Sequence, residues 1–392
     1  MDQRKKQLLA LLSAALVIAS APAISANIPA IAASFPTVSQ TFISLFTTIP
    51  ALFIIVGVFL TSIVEKQLGQ KKTILAGLLI VAIFGTLPAW FNQAFALLFL
   101  SRCILGLGIG LFNRLIIQMV SALYQDSLTK RARALGLESA FEGLGGIVMT
   151  ISVGQLVKIS WQLSFLVYGI SLIGFVLVLF FLPEQKKSAQ APTADLTITV
   201  KAAPAVKAKM IQLACLLFVI VGLFIIFNLQ ITPLLLEKGI GDATQGSNMI
   251  AGISIGAFIA GNLFGKTYTI LKNYVLPTAA FLAGTFIILT TISTSIPLTI
   301  LLSGGLGFAF RNIMPFFNHL FTSADGDSAK FGTTAILIAY NLGSTFSPYF
   351  IQGFNFLGVN QPSLLLQVVG IIFIGIAVLT AIFNRKIYLE EI

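Results

Sequence analysis

From Leu8 to Ala26 the sequence runs nineteen residues without a charge, and stretches of this kind recur along its whole length. About 20 mostly apolar residues make a helix that crosses the hydrocarbon core of a bilayer. This recurrence restricts the chain to a membrane-spanning fold before any motif is read. Composition agrees: 57 % of the 392 residues are hydrophobic and only 9 % are charged, against about 25 % charged in an ordinary soluble domain. Charges, Pro-Gly clusters and polar breaks delimit twelve spans, at 7–27, 41–64, 73–92, 96–122, 134–157, 161–183, 211–235, 245–267, 274–292, 296–321, 331–354 and 362–384. The expected fold class is therefore an all-α membrane protein with twelve transmembrane helices.

The first apolar run follows Arg4, Lys5 and Lys6, lacks a small-residue cleavage site and precedes many further spans, so it reads as the first helix and not as a removable signal. With a cytoplasmic N-terminus, 19 of the 24 basic residues fall on the inner side, Lys158 and Lys238 fall outside, and Arg102, Arg114 and Arg311 lie within spans. Translocating cationic loops is costly, and that bias orients the bundle. Both termini are expected in the cytoplasm, as in a multi-pass protein of the plasma (cell inner) membrane. The net charge of +11 is then topological and implies no nucleic-acid partner. Cys103 and Cys215 both sit in apolar runs, which leaves no disulfide framework and no metal site.

Residues 184–209, EQKKSAQAPTADLTITVKAAPAVKAK, form a polar stretch rich in Ala, Lys, Pro and Thr. Such composition suits a solvated linker, and it separates an N-terminal six-helix bundle (1–183) from a C-terminal one (210–392). The two halves echo each other at an offset of 198 to 205 residues. QLLALL at 7–12 matches QLACLL at 212–217, Pro29 falls on Pro233 and Gly57 on Gly261; GIGLFN at 108–113 lies over GFAFRN at 307–312, and LGG at 144–146 over LGS at 342–344. The shared order and near-constant offset point to a duplicated six-helix unit, a repeat of the parallel type in which two halves enclose a central path.

With these features the chain resembles the major facilitator superfamily over essentially its full length. Between spans 2 and 3, SIVEKQLGQKK (62–72) is similar to the superfamily's cytoplasmic signature, with Ser62, Gly69, Lys71 and Lys72 in place. Lys66 stands where the family has an acid, and Glu65 comes one residue early. The resemblance implies a gating role for this loop; the residues themselves allow a plain anchoring loop. In span 4, RCILGLGIG (102–110) resembles the superfamily's R-x-x-x-G-x-G-x-G pattern, with Leu105 where a Gln is common and with Gly106 and Gly110 forming a small-residue groove for close helix approach. GLGGIVMTISVGQL in span 5 is Gly-rich as in drug-export members but lacks their Gly-Pro pair; WQLSF and FLPEQ bound span 6.

An ionisable side chain at mid-bilayer costs at least about 2.5–3.5 kcal/mol by insertion scales and needs partners or water. Away from the interfaces only Arg102, Arg114, Glu138, Glu142, Arg311 and His319 are of this kind. Counting at 1.5 Å per residue from the cytoplasmic ends puts Arg114 and Glu142 at one depth, with Glu138 a turn nearer the cytoplasm. Two readings stand. Glu142, with Glu138, takes up and releases a proton as contact with an arginine is made and broken; or the carboxylate and Arg114 form a permanent structural pair. His319, the sole histidine, is a second candidate proton carrier or a hydrogen-bonded helix-end residue. Arg102 and Asn113 share a helix face. With Arg311, Asn312, Asn228, Gln230 and Asn341 they are the candidate substrate-cavity residues, and Asn318, Phe112, Phe310 and Phe316 are candidate additions to that lining.

No phosphate-binding glycine loop, metal cluster or nucleophile with a basic partner is present, which argues against an enzyme and against any cofactor. The expectation is a monomeric secondary transporter working by alternating access, with a small-molecule substrate, a proton and the lipid bilayer as partners. Proton-coupled efflux of drug-like or amphipathic compounds is the first form of that expectation. Proton-linked uptake or exchange of an organic anion or sugar-like metabolite is the second, and a non-transporting receptor or scaffold the third.

Overall fold

The computed structural model describes residues 3–184, 204–322 and 326–383; most of the expected linker (185–203) lies outside them. The described chain is helical and divides into two compact units, Met1–Thr193 and Ala194–Ile392. The boundary falls inside the stretch expected to link two bundles.

In the first unit, α1 (Gln3–Ala15), a 3₁₀ segment (Ile18–Asn27) and α2 (Ile28–Ser34) together form span 1. Then come α3 (Gln40–Leu68), α4 (Gln70–Trp90), α5 (Phe95–Leu123) and α6 (Leu128–Leu156). A second 3₁₀ segment (Leu163–Ile170) leads into α7 (Ser171–Phe181), and these two make span 6. The second unit contains α8 (Pro204–Glu237), α9 (Ala243–Leu271), α10 (Val275–Ile292), α11 (Ile296–Arg311), α12 (Ile313–Thr322), α13 (Gly326–Phe356) and α14 (Pro362–Ile382). Residues 204–209, assigned to the linker from composition, instead begin α8, so Lys207 and Lys209 ride on a helix. Ala and Lys are good helix formers, and a polar composition does not by itself separate a linker from a helix that projects out of the bilayer.

Ten segments among the described residues are long and apolar enough to cross a membrane, and one of them, Ala243–Ile292, has 50 residues. As a single helix it would measure about 75 Å, far beyond the hydrocarbon core of about 30 Å. It breaks at Lys272, whose φ of 45° is in the left-handed region, and so makes two crossings, α9 and α10. The 31-residue α13 occupies the expected place of span 11. The helices are thus consistent with twelve crossings.

The duplication is visible in which helices touch. In the first unit span 1 packs on spans 5 and 6, span 2 on span 4, and span 3 on spans 4 and 6; the second unit repeats this set as 7 on 11 and 12, 8 on 10, and 9 on 10 and 12. Glycine lets the backbones approach at these contacts. A Cβ at Gly57 would stand 2.5 Å from the Leu107 carbonyl oxygen and 2.9 Å from Gly110 Cα. Gly106 presses likewise on Pro50, so the expected groove on α5 receives α3. Gly145 and Gly343, matched by the repeat, both lie against a carbonyl of the first span of their unit, that of Leu16 and that of Phe218. Gly261 is different: a Cβ there would meet nothing within 4 Å, and Gly256 against Gly304 makes the close approach instead. The repeat is therefore kept in helix pairing and not in the register of each glycine.

Candidate functional site

Span 1 loses α-helical geometry soon after Ala15. Ala19 is non-helical (φ −87°, ψ 24°), and Pro22 has no N–H to give the carbonyl one turn back. Side chains of neighbouring spans supply donors to this stretch. The Tyr168 hydroxyl donates to the Ser20 carbonyl at 3.1 Å and Arg102 Nη2 to the Ala21 carbonyl at 3.4 Å. Lower down the segment, Asn27 Nδ2 donates to Ser164 Oγ at 2.6 Å, and Ser164 donates in turn to the Trp161 carbonyl. Trp161 Nε1 donates to Ser34 Oγ at 2.9 Å and closes the far end of span 1 against span 6.

Arg102 is wholly buried. Its guanidinium carbon lies 5.1 Å from the Tyr168 ring centre, 5.8 Å from Phe46 and 5.9 Å from Phe165. A desolvated cation–ring contact contributes about 2 kcal/mol, which partly offsets removing the charge from water. Nε and Nη1 make no hydrogen bond, and the Ser20 Oγ and Asn27 Oδ1 atoms nearby in the chain are also buried without partners. Orphaned polar atoms of this kind cost about 1–3 kcal/mol each, more for a charged group. Arg102 is thus held in an aromatic cage inside the first unit.

Arg114 is half-buried on α5. It reaches along its own helix to Gln118, whose amide oxygen accepts from Nε at 2.9 Å and from Nη2 at 3.1 Å when the amide is oriented to face it. On α6, Glu138 is buried at 3 % exposure and Glu142 is half-buried one turn later. Asn113 is half-buried on α5.

In the second unit Asn228, Asn312 and Asn341 are all buried, and each donates its amide N–H to a carbonyl one turn back on its own helix: Phe224 at 3.3 Å, Phe308 at 2.8 Å and Leu337 at 2.9 Å. That arrangement leaves the amide oxygens as acceptors, and Asn312 Oδ1 is buried with no donor. Phe224 and Phe310 stack face to face at 3.6 Å, so the Asn228 and Asn312 helices meet through their rings. Phe112 and Phe316 are buried too. Gln230 and Arg311 are half-buried; Asn318 and His319 are exposed, and the His319 ring stands edge-on to Tyr268 at 4.7 Å.

Between α3 and α4, Gly69 has a φ of 80°, which only glycine adopts readily, and this permits the tight reversal. Ser62 donates to the Phe59 carbonyl at 3.3 Å, Gln70 Nε2 donates to Glu65 Oε1 at 2.8 Å, and Lys72 pairs with Glu184 at 3.5 Å across exposed surface. Glu65 therefore acts within its own loop. Lys66 is exposed and Lys71 half-buried.

Residues that pattern reading passed over include Tyr168, Phe46 and Phe165, whose roles depend on Arg102, and the adjacent pair Glu237 and Lys238. Glu237 accepts from the Ser363 N–H at 2.8 Å and hydroxyl at 2.6 Å at the start of α14. Lys238 Nζ donates to the Thr291 carbonyl at 2.8 Å and to that of Ser293 at the end of α10. Burial pushes the Lys238 amine down from its usual value, and the neighbouring Glu237 opposes this. A proline or serine cluster in an apolar span was the available signal for the first group; an acid–base dipeptide at a span's outer end was that for the second.

The sequence profile of the Major Facilitator Superfamily matches residues 8–348. No curated protein matches the sequence. Among solved structures, a D-xylose-proton symporter is similar with a TM-score of 0.71 at 14 % identity, covering 99 % of this chain and 98 % of its own. A bacterial homologue of the human lysosomal transporter Spinster, solved inward-facing and unoccupied, is similar with a TM-score of 0.74 at 15 % identity, covering 100 % of this chain and 98 % of its own.

Proposed function

The chain belongs to the major facilitator superfamily, and we propose that this membrane transporter works by alternating access as a proton-coupled exporter of drug-like or amphipathic small molecules. The observation that carries the proton coupling is the α6 pair, Glu138 buried at 3 % exposure and Glu142 half-buried one turn on. A carboxyl group withdrawn from water must take a proton or keep a cationic partner. Two of them a turn apart give a proton successive stations along one helix. The arginines cannot serve, since a guanidinium stays protonated; they supply fixed charge to a group that changes. Apolar, Phe-rich helices suit amphipathic cargo.

Proton-linked uptake or exchange of an organic anion is the second reading. It draws support from Arg102, Arg114 and Arg311, which outnumber the two α6 carboxylates within the spans. In proteoliposomes with an imposed pH gradient, Glu142→Gln is expected to abolish proton-driven substrate movement. Undiminished coupling in that variant and in Glu138→Gln would sink the proposed carrier. Deleting the protein is expected to raise dye accumulation in cells; no change across chemically varied dyes, with anion uptake lost instead, selects the second reading.

A further inference from the structure

Two 3₁₀ runs are unusual in length, the part of Ile18–Asn27 that follows the kink at Ala19 and the 8-residue Leu163–Ile170, because runs beyond three or four residues are uncommon and mid-helix examples often mark hinges. They also face each other. Two hydrogen bonds join them directly, Tyr168 to Ser20 and Asn27 to Ser164, and Arg102 lies between, bonded to Ala21 of one and packed on Phe165 and Tyr168 of the other. We infer that Tyr168, Asn27 and Ser164 are positioning residues that, with Arg102 as the pin, latch span 1 in its 3₁₀ form, and that the transport cycle includes its rewinding to α-helix. This inference rests on the transport reading for its purpose, though not for its geometry.

Two backbone forms compete to satisfy the same carbonyls. In the latched form the Ser20 and Ala21 carbonyls take donors from spans 6 and 4. A 3₁₀ turn bonds each carbonyl to the N–H three residues on and an α turn to the N–H four residues on, so rewinding re-aims both carbonyls and releases the tyrosine hydroxyl and the guanidinium. The latched form leaves Arg102 Nε, Arg102 Nη1, Ser20 Oγ and Asn27 Oδ1 without partners, so it is not a deep minimum. An element with two closely balanced arrangements is what a switch requires. The run from Ser20 to Asn27, rising 2.0 Å per residue in 3₁₀ form and 1.5 Å in α form, would change in length by about 4 Å. Rewinding would shorten span 1 by that amount and turn the two free guanidinium donors loose to meet an acceptor elsewhere.

The test places spin labels at Leu9→Cys and Ala33→Cys, both exposed positions flanking the segment, in a protein with Cys103→Ala and Cys215→Ala. Electron–electron distances are measured in lipid nanodiscs. Wild-type background is expected to show a main distance and a second population about 4 Å shorter. Tyr168→Phe, which keeps the ring and removes the hydroxyl, is expected to enrich the shorter population several-fold, as is Pro22→Ala, which restores an N–H. A single distance in all three proteins overturns the latch. In the transport assay Tyr168→Phe is expected to change maximal rate several-fold with half-saturation unchanged; an unaltered rate also counts against the latch. If the parent protein moves no substrate at all, the transport reading fails while the distance result still decides whether the segment rewinds.

Discussion

The two units use the same five helix pairings but differ in what they do with spans 1 and 6 and with their equivalents. In the first unit both spans are interrupted by 3₁₀ segments and enclose a buried arginine; in the second, α8 runs 34 residues and α14 runs 21 without such a break. The difference shows that packing order and backbone continuity are separable. Pairing is set by small residues that let helices touch, whereas interruption is set by donors that neighbouring helices bring to freed carbonyls. The second unit places its discontinuity in span 10, between α11 and α12, beside the orphaned Asn312 oxygen.

That separation can be broken by substitution. Gly57 and Gly261 correspond in sequence but not in contact, so equal changes should have unequal effects. Gly57→Leu is expected to lower stability by about 1–3 kcal/mol or prevent folding through overpacking against Leu107 and Gly110, while Gly261→Leu stays within about 0.5 kcal/mol. Thermal unfolding in detergent and recovery from size exclusion read both; equal losses would mean that the two units share contacts at these positions after all.

A smaller effect concerns how each unit ties its helix ends. The second unit uses neighbours, Glu237 on the start of α14 and Lys238 on the end of α10, each favourable to the helix dipole it meets. Glu237→Gln and Lys238→Met are each expected to cost about 0.5–1.5 kcal/mol, in the range of other helix caps. A double variant no worse than either single one would show that the two caps act as a unit and not separately.

The smallest effect lies at an end tie of the first unit, the Arg4–Asp126 pair at 2.8 Å on exposed surface. The Arg4 hydrogen bond holds the Asp126 carboxyl below its usual value. A folded-state value below the unfolded one contributes stability above the ordinary carboxylate range, lost as pH falls through the folded value. Thermal midpoints of the parent and Asp126→Asn should therefore differ slightly at neutral pH, less in high salt, and converge in acid below about pH 4. A difference that persists in acid would assign the stabilisation to something other than charge.

The span positions and the duplication were legible in sequence because lipid imposes length and apolarity on each helix and because Gly145 and Gly343 do one job in both halves. The Gly106–Gly110 groove was legible for the same reason. The 3₁₀ segments were not, since Ile and Ala in 18–27 suit an α-helix; Pro22 is the one local break, and Tyr168, Ser164 and Arg102, brought from distant positions, favour the alternative. Nor was the contact of Arg114 with Gln118 along one helix: depth alone pairs Arg114 with Glu142 and says nothing of a guanidinium's reach along its own helix. The start of α8 was hidden by its polar residues.

The bond from Trp161 to Ser34 has an optical consequence. The chain has two tryptophans, both in the first unit, Trp90 at 69 % exposure and Trp161 at 7 %. With Trp90→Phe, all indole emission would come from one shielded ring hydrogen-bonded to the far end of span 1. The second unit would be dark, so that a shift in colour or lifetime during turnover would report from that one corner of the protein without an added dye.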